Sequence, residues 1–528
     1  MSRRLVWIAA VVVAAGLVRL LIAVHSPQSP LTPGSAPDLR ARLSRSWADL
    51  TAPRTPPRQP PPGRPFSEPP LTYSGTAPGA AQLRAAAKDA GVIICVLDAA
   101  RIDHFACYGY PRDTTPNFDR MARDGVLFEQ HFCQASQTRP STISLLTGQY
   151  PDTHGQLANG AARTSSSESS PPTVTLESAL AQAGFSTFLL SSSPVVSPEY
   201  GVGEDFQHTR PLRQARPAEP ADPMAALVDD LRDAARRWKT QGGRFFAYIH
   251  VLPPHMPYRA PERMMRLFRG QPPRYWRSKP DFAVEEEPKP EEPTSWTEWG
   301  NLYDANLRWA DSFLGELEQT LRQAGILEHT LLIVTADHGE AMREHGYAFH
   351  TNCPYDEALH VPLLIRFPGK RKPTGRVRAL TQTIDLFPSI LDLCRIPARA
   401  DVQGKSLVPL LAGETRAVND YLVSRTLGDA PCYVIRDART TLFLHQGGRK
   451  RALYDMDIDP WQTVNLYPKE RARAAALEED FRAFARRQRY PPVGFLDSTP
   501  APARGPARPP TKLTDEQRRT LRALGYVE

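Results

Sequence analysis

No two of the six cysteines stand in a Cys-x-x-Cys pair, so the closely spaced thiolate sets of structural zinc modules are missing. Cys95 lies inside an apolar run and reads as a small buried hydrophobe. A disulfide among the others stays open, since sequence alone cannot pair them. There is no internal repeat and no basic stripe. The formal net charge is +8, with Lys and Arg scattered along the chain, so no nucleic-acid partner is expected.

One long apolar run is present. Arg3 and Arg4 precede Leu5 to Val24, which only Arg19 interrupts. Such a run can span ~30 Å of hydrocarbon as a helix, and the flanking positives favour an inside N-terminus. A secretory signal is the competing reading. Residues 1–25 are thus a signal anchor or a signal peptide, and both place the rest outside the cytoplasm, membrane-anchored or secreted.

Proline is abundant, with 53 residues, and it crowds the stretch before residue 80 and Pro272 to Pro293. Residues 26–80 cannot bury a core and read as a linker. From there helices alternate with strands. "GVIICVL", "STFLLS", "RFFAYIHV" and "TLLIVTA" are short apolar runs, each preceded by a helical pattern. That alternation predicts an α/β domain over residues 81–400, with a mostly parallel or mixed sheet flanked by helices. Past residue 400, "DYLVSRTL", "CYVIRDAR" and "TTLFLHQ" are short strands before the helical "RARAAALEEDFRAFARRQ". Residues 401–490 therefore read as a smaller antiparallel α+β subdomain. Residues 491–528 form a tail ending in a helix capped by Thr514.

The chemistry gathers at strand ends, where open α/β sheets bind ligands. Asp98 follows "VIICVL", and Asp337-His338 follows "TLLIVTA". Two carboxylates and an imidazole supply hard oxygen and borderline nitrogen to a divalent cation. Each Asp could instead cap the next turn. "QTRPSTISLLTG" places Thr138 and Ser141 at the mouth of a helix, with Pro140 as its expected first residue. A helix N-terminus offers N–H groups and a positive dipole end to an anion. A hydroxyl held there beside a metal loses its proton readily and can attack.

"VLDAARIDHFACYGYPRDTTPNFDRMARDGVLFEQHFCQASQTRPSTISLLTGQYPDTHG" resembles the N-terminal block of the sulfatase family in the alkaline-phosphatase superfamily. "IHVLPPHMPYRAP", "TLLIVTADHGEAMREHG", "YDEALHVPLLIRFPG", "QTIDLFPSILDLCRIP", "VQGKSLVPLLAG" and "LYDMDIDPWQTVNLY" follow in the family's order. The resemblance covers roughly residues 90 to 470 and implies an alkaline-phosphatase-like fold. It implies a metal-dependent hydrolase of sulfate or phosphate esters acting on a small-molecule, lipid or glycan substrate. Asp98, Asp337 and His338 would hold one divalent ion, with Ca, Mg, Mn and Zn all open. His255 and His350 would join Thr138 in catalysis, Ser141 would touch substrate, and His250, at a strand end, would touch substrate or be a satisfied structural His. His104, His154 and His345 read as structural.

The chain departs from the family at several places. In the family's Cys/Ser-x-Pro-Ser-Arg signature, Thr138 takes the Cys/Ser place and Thr142 the Arg place. Oxidising a Thr gives a ketone, so no formylglycine is expected. The family's Asp-Asp is Asp98-Ala99, its Lys-x-His after the "GFSTF" strand is absent, and His350 stands where a Lys is usual. A Thr nucleophile favours a phosphoryl or phosphonyl centre. A phosphoryl or phosphoethanolamine transferase, and an inactive glycan-binding relative, are the alternatives.

Overall fold

The computed structural model describes residues 71–73 and 78–487, with breaks at 158, 160–173, 211–222, 242–243, 271–295, 351, 370–371, 398, 428–430 and 446–450. The apolar run Leu5 to Val24, the second Pro-rich stretch and the tail with Thr514 lie outside these residues. Among the described residues no helix is long and apolar enough to cross a membrane. All of them lie in the unit Gln59–Glu528.

The main sheet has nine strands. In chain order they are β1 (Leu71–Tyr73), β2 (Gly91–Leu97), β3 (Val126–Phe128), β4 (Ser186–Ser191), β5 (His208–Arg210), β6 (Phe245–Val251), β7 (Thr330–Ala336), β8 (Leu363–Arg366) and β9 (Gly375–Val377). Across the sheet the order is β1-β9-β3-β8-β7-β2-β6-β4-β5. β7, β2, β6, β4 and β5 run parallel, whereas β8 is antiparallel to both its neighbours. The sheet is therefore mixed, as expected. Within the expected linker, Leu71–Tyr73 pairs antiparallel with β9 as an edge strand, so order begins before residue 80.

The central strand β2 is buried at every position, as a strand covered on both faces must be. Its side chains alternate between two cores. Ile93, Cys95 and Leu97 enter one; Val92, Ile94 and Val96 enter the other. The helices that matter here are α1 (Ala80–Ala87), α2 (Thr138–Thr147), α3 (Pro223–Gln241), α4 (Trp296–Ala324) and α5 (Leu386–Leu393). In α4, Tyr303, Leu307, Ala310, Leu314, Leu317 and Leu321 are all buried, and their three- and four-residue spacing makes one continuous stripe.

The C-terminal part is a separate antiparallel sheet, β10 (Leu422–Arg425) to β13 (Arg451–Asp455), in sequential order, followed by helix α6 (Arg471–Arg487). Leu477 and Phe481 of α6 pack with Tyr433, Ile435 and Leu444 of this sheet. All six cysteines are free thiols, so the structure contains no disulfide among them.

Candidate active site

Because β7, β2 and β6 are parallel neighbours, their carboxyl ends lie side by side, and each carries a polar side chain there. Asp98 follows the last residue of β2, Asp337 follows the last residue of β7, and His250 is the penultimate residue of β6. Ala99 sits in a left-handed conformation with φ 63°, which turns its N–H onto Asp337 Oδ1 at 3.2 Å. Asp337 Oδ1 also accepts from the His338 N–H at 2.9 Å. Asp337 Oδ2 is buried and meets no hydrogen-bond donor.

Helix α2 begins at Thr138, with Gln137 as an extended N-cap whose side chain makes no cap bond. Thr138 is therefore the first helical residue, and Pro140 is the third, not the first as the sequence suggested. Proline is tolerated there because the first N–H groups of a helix lack intrahelical partners anyway. The mouth is also less open to an anion than expected. Arg139 N–H donates to Asn159 Oδ1 at 2.9 Å, Pro140 has no N–H, and Ser141 N–H bonds Gln137 O.

Thr138 is fully buried. Its Oγ1 lies 3.1 Å from His338 Nε2 and 3.4 Å from Asp98 Oδ1. His338 Nε2 is 3.5 Å from both Asp98 Oδ1 and Asp337 Oδ2. His338 Nδ1 faces the Gly339 carbonyl at 2.8 Å, so that nitrogen carries the proton and Nε2 presents a lone pair. His250 Nε2 is 3.1 Å from Asp98 Oδ2. One donor atom each from Asp98, His250 and Asp337 lie within 4.8 Å of one another.

The other imidazoles form a wall over this floor. The His338 and His350 ring centres are 4.3 Å apart, and those of His255 and His350 are 4.8 Å apart. His350 Nδ1 bonds Glu340 Oε1 at 3.0 Å, and its Nε2 is buried without a partner. His255 Nδ1 bonds the Met256 carbonyl. Ser141 donates its hydroxyl to the Asp337 carbonyl and so ties α2 to the β7 end. His250 is fully buried within a strand.

The electrostatics separate the two carboxylates. Burial alone would raise Asp98, but the imidazoles of His255, His250 and His338 hold it below the usual carboxylate range. Burial, and then the Asp98 charge, push Asp337 well above that range. Burial, and then His350, lower His338, and burial lowers His255. Two buried carboxylates side by side, an oxygen lacking a donor and imidazole lone pairs beside them fit a divalent cation. Asp98, Asp337 and the nearby imidazoles are the residues able to hold one.

Two groups were missed by sequence reasoning. Glu340 orients His350, and its place two residues beyond His338 was the available signal. Tyr248 lies beneath His250, with its OH 3.5 Å from Nδ1; the two-residue period of a strand could have revealed it. His104 pairs with Asp304 at 2.7 Å, His154 with Ser144 at 2.9 Å and His345 with Glu357 at 2.6 Å. Each is thus held by a side chain of the protein.

Comparison with known proteins agrees with this architecture. Residues 91–396 match the sulfatase family model, and residues 343–485 match the C-terminal model of N-sulphoglucosamine sulphohydrolase. An endo-4-O-sulfatase of Bacteroides thetaiotaomicron is 25% identical over 419 residues, covering 67% of this chain and 80% of that protein. Arylsulfatase K of Gallus gallus is 30% identical over 204 residues, covering 36% of this chain and 37% of that protein. The crystal structure of a phosphonate monoester hydrolase of Agrobacterium radiobacter superposes with a TM-score of 0.60 at 23% identity, covering 80% of this chain and all of that one. With the sulfatase model matched over more than half of its 528 residues, the chain belongs to the sulfatase family of ester hydrolases.

Proposed function

We propose that this chain cleaves a sulfate or phosphate ester by way of a covalent Thr138 ester. The observation that carries the reading is the position of Thr138 Oγ1, at the start of α2 and in reach of both Asp98 and His338. Asp98, Asp337 and His338 would hold a divalent ion, which when bound supplies positive charge that acidifies a neighbouring hydroxyl and offsets charge on the ester oxygens. Thr138 Oγ1, its proton released to solvent, attacks sulfur or phosphorus; the Oγ1–S or Oγ1–P bond forms as the bond to the leaving oxygen breaks on the opposite side. His255 and His350, whose Nδ1 atoms are tied to Met256 O and Glu340, face the leaving oxygen through Nε2 and deliver or orient its proton. Water then displaces Thr138 and releases the sulfate, phosphate or phosphonate anion.

A formylglycine hydrate can eject sulfate by collapsing to its aldehyde. A Thr ester cannot, so its turnover needs a second displacement. This favours a phosphoryl or phosphonyl centre, although the family name favours a sulfuryl one. Assay of the protein against an aryl sulfate, a phosphate monoester, a phosphate diester and a phosphonate monoester decides between them. Phosphoester or phosphonate turnover that disappears in Thr138→Ala is expected; no turnover of any of the four would favour a binding role instead.

The sequence of residues 1–25 supports placing the catalytic body outside the cytoplasm, held at a membrane or released. Full-length protein is expected in the membrane fraction or the extracytoplasmic space, and recovery only from the cytosol would refute this.

A further inference from the structure

We propose that His250 is a metal ligand, and that the site takes a borderline transition-metal dication such as Zn2+ or Mn2+ in preference to calcium or magnesium. The inference rests on the reading above that Asp98 and Asp337 hold a divalent ion.

Tyr248 OH donates to Thr142 Oγ1 at 3.4 Å. A phenol has one proton, so toward His250 Nδ1, 3.5 Å away, its oxygen acts as acceptor. Nδ1 therefore carries the ring hydrogen. His250 Nε2 is 3.1 Å from Asp98 Oδ2. Asp98, His250 and Asp337 each bring one donor atom within 4.8 Å of the others, and Asp337 Oδ2 is buried and meets no donor; a dication would join all three.

The composition of the shell sets the class of ion. The position after Asp98 bears the methyl of Ala99, buried at 0% exposure, and among the described residues the donor group contains two carboxylates, Asp98 and Asp337. Calcium seeks six to eight oxygen donors. Here nitrogen fills the remaining places: His250 Nε2, and His338 Nε2 at 3.5 Å from both carboxylates. Mixed carboxylate and imidazole sets suit zinc, manganese or iron. The outer hydrogen bond from Nδ1 to Tyr248 is the support that metal-bound imidazoles usually have. Thr142 provides it in turn, at the place where the family resemblance puts an Arg.

The test uses the full chain, stripped with a chelator and titrated separately with Zn2+, Mn2+ and Ca2+ by calorimetry. Pulsed EPR of the Mn2+-loaded protein counts directly bound imidazole nitrogens. Zn2+ and Mn2+ are expected to bind at least ~100-fold more tightly than Ca2+, with two imidazole couplings. His250→Ala should weaken Zn2+ and Mn2+ by about 10–100-fold or more and remove one coupling. Tyr248→Phe, which keeps the imidazole, should weaken them less. Calcium binding as tight as manganese, or a wild-type spectrum with one coupling, would overturn the inference while leaving the metal centre standing. The wild-type spectrum decides even if His250→Ala does not fold. If none of the three ions binds, and Asp98→Asn changes nothing, the metal-centre reading falls as well.

Discussion

Two regions of this molecule treat buried charge in opposite ways. Where the C-terminal sheet meets the main domain, buried arginines meet carboxylates. Arg425 pairs with Asp152, which also accepts from Tyr433 OH at 3.0 Å, and Arg436 pairs with Asp356. At the carboxyl ends of β2 and β7, Asp98 and Asp337 lie together at 0% and 1% exposure, and an oxygen of Asp337 meets no donor. A buried polar group without a partner costs on the order of 2–7 kcal/mol. The first region makes stability; the second tolerates instability where a ligand can relieve it.

Breaking the second region should cost function and not fold. Asp98→Asn or Asp337→Asn should abolish metal binding and lower turnover by on the order of 10³-fold or more, since each removes one anion from a small shell. The chelated Asp337→Asn protein should be at least as stable as the wild type in denaturant unfolding, because the amide removes a charge that burial disfavours. A marked loss of stability would show that Asp337 is structural.

The first region should respond the other way. Arg425→Ala leaves Asp152 buried without its cation and should cost about 3–5 kcal/mol. Turnover per folded molecule should stay within a few-fold of wild type. A specific loss of kcat with unchanged denaturation would make the junction part of the active site.

A third buried charge gives the smallest effect and sharpens the contrast. Glu177, in the first turn of the helix Leu176–Gln182, is 1% exposed with Oε2 unpartnered. Burial pushes its carboxyl from 4.5 up to about 8. The folded state therefore holds a proton that the unfolded state has released between those values, so stability falls as pH rises through that window. The change is read as the slope of unfolding free energy against pH between about 4.5 and 8. Glu177→Gln should flatten that part of the stability profile. An unchanged slope would mean that Glu177 is ionised in the fold.

The parts of this account that were legible in the sequence share a physical cause. Strands such as "GVIICVL" announce themselves because a strand covered on both faces must be apolar throughout, and the first polar residue after it stands at a strand end. That exposed Asp98 and Asp337. The resemblance supplied Thr138. Other features depended on distant partners that no local pattern encodes. Asn159, well past α2, takes the Arg139 N–H, and the Asp337 carbonyl takes the Ser141 hydroxyl. The sequence placed His250 at a strand end, but its neighbours Asp98 and Tyr248 become visible only in the fold. The edge strand Leu71–Tyr73 was hidden because its partner lies some three hundred residues later in the chain, at Gly375–Val377.

The central claim is that Thr138 becomes esterified. Rapid acid quench during turnover of a phosphonate or phosphate ester, followed by mass spectrometry of the peptide containing Thr138, tests it most directly. The account predicts the added mass of one phosphoryl or phosphonyl group on Thr138 in the wild type. It predicts no such mass, and turnover lower by on the order of 10⁴-fold or more, in Thr138→Ala. Full turnover in Thr138→Ala, or an adduct found on another residue, would contradict it.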